Sequence, residues 1–217
     1  MTEVFDCTDA DQRATGIASA ISALKGGRLV VLPTDTVYGI GADAFDSDAV
    51  AALLSAKGRG RDMPVPVLVG SWHTIDGLVY SVPRSARELI QAFWPGALSL
   101  VVRQAPSLQW DLGDAHGTVM LRMPLHPVAI ELLREVGPMA VSSANISGRP
   151  AAVTVDDARS QLGDLVEVYL DGGPSEQQAA STIVDLTGAH PRVLRQGPVT
   201  VESIAEVLVV KPETLTD

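Results

Sequence analysis

Lys57-Gly58-Arg59-Gly60-Arg61 places three cations within five residues of a 217-residue chain whose formal net charge is −10. The chain holds only three lysines. The two glycines free the backbone, so the cluster can bend around an anion instead of lying on a regular surface. Phosphate is the first candidate, because arginine offers a fork of donors matched to phosphate or carboxylate. Lys57 has a simpler explanation, since a cation in the last turn of a helix gains about 0.3–1 kcal/mol from the helix dipole. Arg59 and Arg61 lie beyond that helix end. Taken alone, the cluster is as readily a solvated basic turn as a binding site.

A second dense patch, Ser142-Ser143-Ala144-Asn145-Ile146-Ser147-Gly148, follows the apolar run Met139–Val141 and contains the only asparagine of the chain. Hydroxyls and an amide collected at a strand end can bind a ligand. They also form ordinary Ser/Asn turns, in which such side chains bond their own backbone. His73, His116, His126 and His190 are scattered without H-x-x-x-H spacing, so a protein-held metal is not expected; His126, before Pro127, reads as a helix cap. G-x-S-x-G is absent and the one cysteine, Cys7, has no visible partner, which removes support for covalent hydrolase chemistry, a disulfide or a cysteine metal cluster. Gly39-Ile40-Gly41-Ala42-Asp43-Ala44 matches a dinucleotide fingerprint only formally. Pro33 and five further residues separate its first glycine from the preceding strand, and the segment reads as a glycine-rich bend.

These residues need elements to position them. Helical spacing of Ala, Ile and Leu over residues 9 to 25, closed by Gly26-Gly27, predicts an amphipathic helix. Arg28–Leu32 is a short apolar strand closed by Pro33, which delivers Thr34–Gly39 to a strand end, where sites are commonly built. Asp46-Ser47 caps a helix with the apolar face Val50, Leu53 and Leu54, so Lys57 sits at its C-terminus. Beyond it the pattern predicts strands at Val65–Val69, Leu98–Arg103, Thr118–Met123, Met139–Ser142, Val166–Leu170, Thr182–Leu186 and Arg192–Leu194. Helices are predicted at Arg84–Phe93, Pro127–Val136, Asp156–Leu162 and Val201–Leu208. The polar tail after Val210 is expected to fray.

The composition, 46% hydrophobic with only 4% aromatic residues, suits one core of aliphatic side chains between a sheet and helices, an α/β or α+β fold in one domain. The acidic balance disfavours a surface that grips nucleic acid over its whole extent, while a local basic pocket stays compatible with it. The acidic start MTEVFDCTDADQ is not a signal peptide and no apolar run reaches membrane-spanning length, so a cytoplasmic protein without membrane contact is expected.

Seven motifs in order resemble the YrdC-like family, the threonylcarbamoyl-AMP synthases that begin threonylcarbamoyladenosine formation on tRNA. They are Pro33–Gly39, Lys57-x-Arg59, Phe93-Trp94-Pro95-Gly96, Thr118–Pro124 with His126-Pro127, Ser143–Gly148, Ser181–Asp185 and Leu194-Arg195-x-Gly197. The resemblance implies a twisted mixed or parallel sheet flanked by helices, with an open basic cavity. It also implies condensation of L-threonine, bicarbonate or CO2, and ATP with Mg²⁺ into threonylcarbamoyl-AMP and pyrophosphate. By family likeness Thr36, Arg122 and Ser181 hold threonine, with backbone near Val141, while Thr34 and Tyr38 shape the wall. Lys57, Arg59, Thr118, Ser143, Asn145, Arg195 and backbone near Ala151 hold ATP, with Lys57 and Arg59 the catalytic pair and the metal carried by ATP instead of by protein ligands.

The chain departs from the family's K-x-R-P-x-x-N-P-L-x-x-H pattern at Gly60, Met63 and Leu68, so contacts made by the family's Asn and His do not carry over. Gly60 is expected to loosen the loop and Arg61 to add a phosphate contact. Longer members carry a linker and second domain; here a single domain over 1–217, with its core at about 10–208 and a more open cavity, is expected. Its labile product would pass to a tRNA-modifying transferase, with at most weak tRNA contact. The competing readings are a non-catalytic RNA-binding module, a divergent YciO-like relative and, last, a nicotinamide-dependent dehydrogenase.

Overall fold

Several predicted strands are apolar at nearly every position, which requires cover on both faces of the sheet. A computed structural model describes residues 2–216. Among them ten strands form one sheet: β1 Glu3–Asp6, β2 Val30–Leu32, β3 Gly39–Asp43, β4 Val67–Leu68, β5 Leu98–Arg103, β6 Thr118–Arg122, β7 Met139–Ser143, β8 Val168–Asp171, β9 Thr182–Asp185 and β10 Arg192–Arg195. Their order is β1-β8-β2-β3-β7-β4-β6-β5-β9-β10. The pairs β1/β8, β2/β8, β4/β6 and β5/β9 are parallel and the rest antiparallel, so the fold is mixed α/β. The helices are α1 Ala10–Lys25, α2 Ser47–Ala56, α3 Ile75–Leu78, α4 Arg84–Phe93, α5 Pro127–Val136, α6 Val155–Leu162 and α7 Val201–Leu208. No helix among the described residues is long and apolar enough to cross a membrane.

The twofold side-chain period sorts the strands between two cores. Val30, Leu32, Leu68, Met139, Val141, Val168 and Leu170 pack with Ile17 and Leu24 of α1 and Val128, Leu132 and Leu133 of α5. Their neighbours Val31, Val67, Ala140 and Tyr169 face the larger core with Leu53 of α2, Leu89 of α4 and Ile204 of α7. On β5, β6 and β9 the same alternation sends Leu98, Leu100, Leu121 and Val184 to the larger core. The alternate residues Ser99, Met120, Arg122 and Ile183 have no helix over them and line a cavity instead. The site thus lies where the α1–α5 layer ends.

Helix starts follow the expected chemistry: the Asp46 side chain accepts from Asp48 N–H and Ala49 N–H at the head of α2. Gly26 ends α1 and Gly58, at φ +59°, follows the end of α2. His126 occupies the N-cap position of α5, but its side chain makes no capping bond. Two expectations are corrected, and one strand is added to those expected. Gly39-Ile40-Gly41 is strand β3, not a bend: it pairs antiparallel with both β2 and β7. Glu3–Asp6, an acidic start without strand signal, pairs parallel with β8. The C-terminal segment folds back as a 3-10 turn at Pro212–Leu215 instead of fraying, with Leu215 in the larger core at 1% exposure.

The glycines of β3 answer to β7. A Cβ on Gly39 would meet Val141 Cγ1 at 2.6 Å, and one on Gly41 would meet Met139 Cε at the same distance. Met139 can swing away, but β-branched Val141 is held by its rotamer and by the α1–α5 core. Gly39→Ala is expected to lower stability by about 1–3 kcal/mol through overpacking, measured by urea unfolding, and adding Val141→Ala should recover part of the loss. A neutral Gly39→Ala would contradict this packing account.

Candidate active site

The strand β2 ends at Pro33, and the chain turns through Thr34–Tyr38 before re-entering the sheet as β3. The Thr34 hydroxyl donates to the Val37 carbonyl at 2.6 Å and accepts the Thr36 N–H. With its only proton committed, Thr34 must accept from the Thr36 hydroxyl, 3.0 Å away. Thr36 Oγ1 in turn accepts from Arg122 Nη1 at 2.7 Å. Arg122 also donates through Nε to the Gly96 carbonyl and through Nη2 to Asp35 Oδ1. Asp35 and Arg122 form the one buried ion pair among the described residues, with side chains 4% and 8% exposed.

A cavity of about 210 Å³ opens beside this network, walled by Thr34, Thr36, Tyr38, Ser99, Arg59, Arg122, Val141, Ser142, Ser143, Ser181 and Arg195, among others. The Ser99 and Ser181 hydroxyls bond each other at 2.8 Å. Arg195 grips the Ser181 carbonyl with Nε and Nη2, and its Nη1 has no partner among the described residues. Arg59 donates from Nη1 to the Ser142 hydroxyl and from Nη2 to the Pro64 carbonyl, while its buried Nε has no partner among the described residues. A second, more apolar compartment of about 250 Å³, lined by Met63, Pro64, Val65, Leu112 and Thr118, adjoins the first through the shared Arg59 and Met120.

The electrostatics are one-sided. Burial works against the charged form of Lys57, Arg59, Arg122 and Arg195 alike, and Asp35 offsets this only at Arg122 and Asp62 only in part at Arg59. Partly desolvated cations around a shared cavity favour an anionic ligand. No pairing of a nucleophile with a general base occurs along the walls, so the arrangement suits gathering and neutralising anions better than covalent catalysis.

Of the residues expected from sequence, Thr34, Thr36, Tyr38, Arg59, Arg122, Val141, Ser143, Ser181 and Arg195 converge on the first compartment and Thr118 on the second. Lys57 is buried against the Ser142–Gly148 turn and Asn145 is buried within it, and neither lines a compartment. Asn145 donates to the Ile146 and Arg149 carbonyls, with Oδ1 buried and unpartnered among the described residues. Ala151 is exposed and lines neither compartment. Arg61, expected at a phosphate, instead forms a two-bond fork to Asp111 at 2.8 and 2.9 Å and a further pair with Asp114 at 3.4 Å. Two carboxylates satisfy its charge outside both compartments. The loop expected to loosen at Gly60 is tied to the 111–114 segment by Asp114 N–H to the Arg61 carbonyl and Val65 N–H to the Leu112 carbonyl. Sequence reasoning gave no role to Asp35 or Ser99, and named Ser142 only as part of the serine patch. The signal for Ser99 was a hydroxyl inside the otherwise apolar run Leu98–Val102.

The Sua5/YciO/YrdC family model, described as telomere recombination, matches residues 22–197. A Mycobacterium tuberculosis protein, provisionally named as a threonylcarbamoyl-AMP synthase, is 80% identical over 215 residues covering 99% of each chain. The structure of Pyrococcus abyssi Sua5 complexed with L-threonine superposes with TM-score 0.85 at 35% identity, covering 88% of this chain and 57% of that one. This chain therefore spans little more than half of the archaeal protein's length. Escherichia coli YciO superposes with TM-score 0.82 at 23% identity over 94% of this chain and all of that one, a likeness of fold.

Lys57 departs from its expected place in solvent. It is 2% exposed, and its ammonium donates to the Ser143 and Asn145 carbonyls while the Lys57 carbonyl accepts the Ser147 N–H. The end of α2 is thereby stapled to the serine turn. Lys57→Ala is expected to cost about 2–4 kcal/mol, since it opens a cavity and strands the buried Asn145 carbonyl, while the Ser143 carbonyl keeps the Asn145 N–H. Burial, and secondarily Arg59, draws the Lys57 pKa from 10.5 to about 8. A base with a depressed folded pKa binds fewer protons folded than unfolded, so stability gains as pH rises from about 8 to about 10.5. The stability difference between wild type and Lys57→Ala, measured by urea unfolding, should widen over that window. A flat difference would contradict the burial of the ammonium.

Proposed function

The chain belongs to the Sua5/YciO/YrdC family, and we propose that its cavity is the active site of a threonylcarbamoyl-AMP synthase that joins L-threonine, bicarbonate or CO2, and ATP. One observation carries the reading: Arg59, Arg122 and Arg195 converge with Thr36 and Ser181 on one cavity whose hydroxyls are paired with no general base among the described residues. The family likeness and the threonine held by the archaeal relative support the same assignment.

In this reading Arg122 Nη1, Thr36 and Ser181 receive the threonine carboxylate and hydroxyl. The amine attacks the carbon of CO2 and loses a proton to give a carbamate; from bicarbonate that proton leaves with the departing hydroxide as water. A carbamate oxygen then attacks the α-phosphorus of ATP, a new P–O bond forms, and the bond to pyrophosphate breaks. The reaction makes this a nucleotidyltransferase. The nucleoside lies toward Thr118 in the apolar compartment, so the phosphates pass the Arg59–Met120 junction that the two compartments share. Arg59, Arg195 and the Ser143 turn offset charge on the phosphates and orient them in line. Lys57 acts by holding that turn.

Magnesium enters with ATP. The cavity wall is built of cations and hydroxyls, and no group of three or more His, Cys, Asp or Glu side chains gathers to hold a metal among the described residues. The ion would supply further neutralisation of the phosphates, with phosphate oxygens and water as its ligands. The product is a reactive mixed anhydride, which a cytoplasmic tRNA-modifying transferase would consume.

Pyrophosphate release from ATP should require both threonine and bicarbonate, and Arg195→Ala should lower kcat/KM by about a hundredfold with the fold intact. Release that needs neither co-substrate, or none at all, would overturn the assignment.

A further inference from the structure

Three arginines face one cavity, yet only Arg122 has a carboxylate within ion-pair distance among the described residues. Asp35 Oδ1 accepts both from Arg122 Nη2 and from the Leu125 N–H at 2.9 Å, and the Asp35 carbonyl accepts the Gln177 N–H. The 122–125 segment thus holds the carboxylate at two points, and residue 177 holds the backbone behind it. Among the described residues Arg59 and Arg195, by contrast, bond only neutral oxygens of Ser142, Pro64 and Ser181, and each keeps a donor nitrogen without a partner. The positive potential is therefore uneven: little damped on the Arg59–Arg195 side, where Asp62 acts on Arg59 from beyond ion-pair distance, and largely cancelled at Arg122 by a direct ion pair.

Under the reading given above, on which this inference rests, the cavity must seat two classes of anion side by side. A polyphosphate carries several charges and a threonine carboxylate one, so an unpaired Arg122 would attract phosphate first and the carboxylate would lose its place. We propose that Asp35 is a positioning residue that sorts these anions. By cancelling most of the Arg122 charge it reserves that guanidinium for a single carboxylate and leaves the polyphosphate to Arg59 and Arg195. Recognition at Arg122 then depends on the remaining directed N–H of Nη1, which fits a carboxylate oxygen by geometry, more than on net charge, while Thr36, its proton given to Thr34, is left to accept from a donor of the amino acid. Asp35 touches neither anion and acts through Arg122.

The test separates charge from shape. Asp35→Asn keeps an oxygen to accept from Arg122 and Leu125 while removing only the charge, and Asp35→Glu keeps the charge. L-threonine binding to the full chain is measured by isothermal titration with and without saturating inorganic pyrophosphate. In the wild type pyrophosphate should leave the threonine Kd unchanged. In Asp35→Asn it should weaken threonine binding by about tenfold, and Asp35→Glu should restore independence. Pyrophosphate competing with threonine in the wild type would overturn the sorting, and this arm decides even if Asp35→Asn fails to fold. Equal independence in Asp35→Asn would overturn it too. A wild type that binds no threonine would overturn the functional reading itself, and the sorting with it.

Discussion

The Arg122 guanidinium is the interaction through which the site is assembled. It sits at the end of β6, and its three nitrogens reach the Gly96 carbonyl, the Thr36 hydroxyl and Asp35. Asp35 passes the restraint on to Leu125 and Gln177. Four loops distant in sequence are thus fixed relative to one buried cation. Breaking such a pair from one side leaves an uncompensated charge in the interior, which costs about 3–5 kcal/mol, so the loops cannot drift independently. The serine turn is anchored by the same logic with a different donor, since Lys57 holds it through two carbonyls and no carboxylate.

The sheet explains why these anchors meet. Alternation along β5, β6 and β9 sends Leu98, Leu100, Leu121 and Val184 into the larger core and turns Ser99, Met120, Arg122 and Ile183 to the other face. On that face α1 and α5 cover only strands from the other half of the sheet, with Val30, Leu68, Met139 and Val168 beneath them. The cavity is what remains of a layered fold when one helical layer stops short. Polar residues at the uncovered positions tolerate the exposure, and several desolvated cations there are stabilised when an anion arrives. Stability and ligand affinity are coupled through the same charges.

Much of this was legible in the sequence. Helix α5 reads directly from Pro127 at its first position and from the spacing of Val128, Leu132 and Leu133, and β5 and β9 read as apolar runs. What failed depended on partners far along the chain. Gly39 and Gly41 look like a bend until Val141 and Met139 are seen to fill the space of the missing side chains. Lys57 looks like a solvated helix end, but its acceptors lie 86 and 88 residues away, and the Arg61 partner Asp111 lies 50 away. The charge cluster that signals a site in the sequence is thus divided in three dimensions among a structural staple, a cavity wall and a surface fork.

The central claim is that one cavity seats a carboxylate at Arg122 and phosphates at Arg59 and Arg195. A crystal structure with L-threonine and a non-hydrolysable ATP analogue tests it most directly. The account predicts the threonine carboxylate within hydrogen-bond distance of Arg122 Nη1, and phosphate oxygens on Arg59, Arg195 and the Ser143 turn. Phosphate oxygens on Arg122, or threonine outside the Thr36–Ser181 compartment, would contradict it.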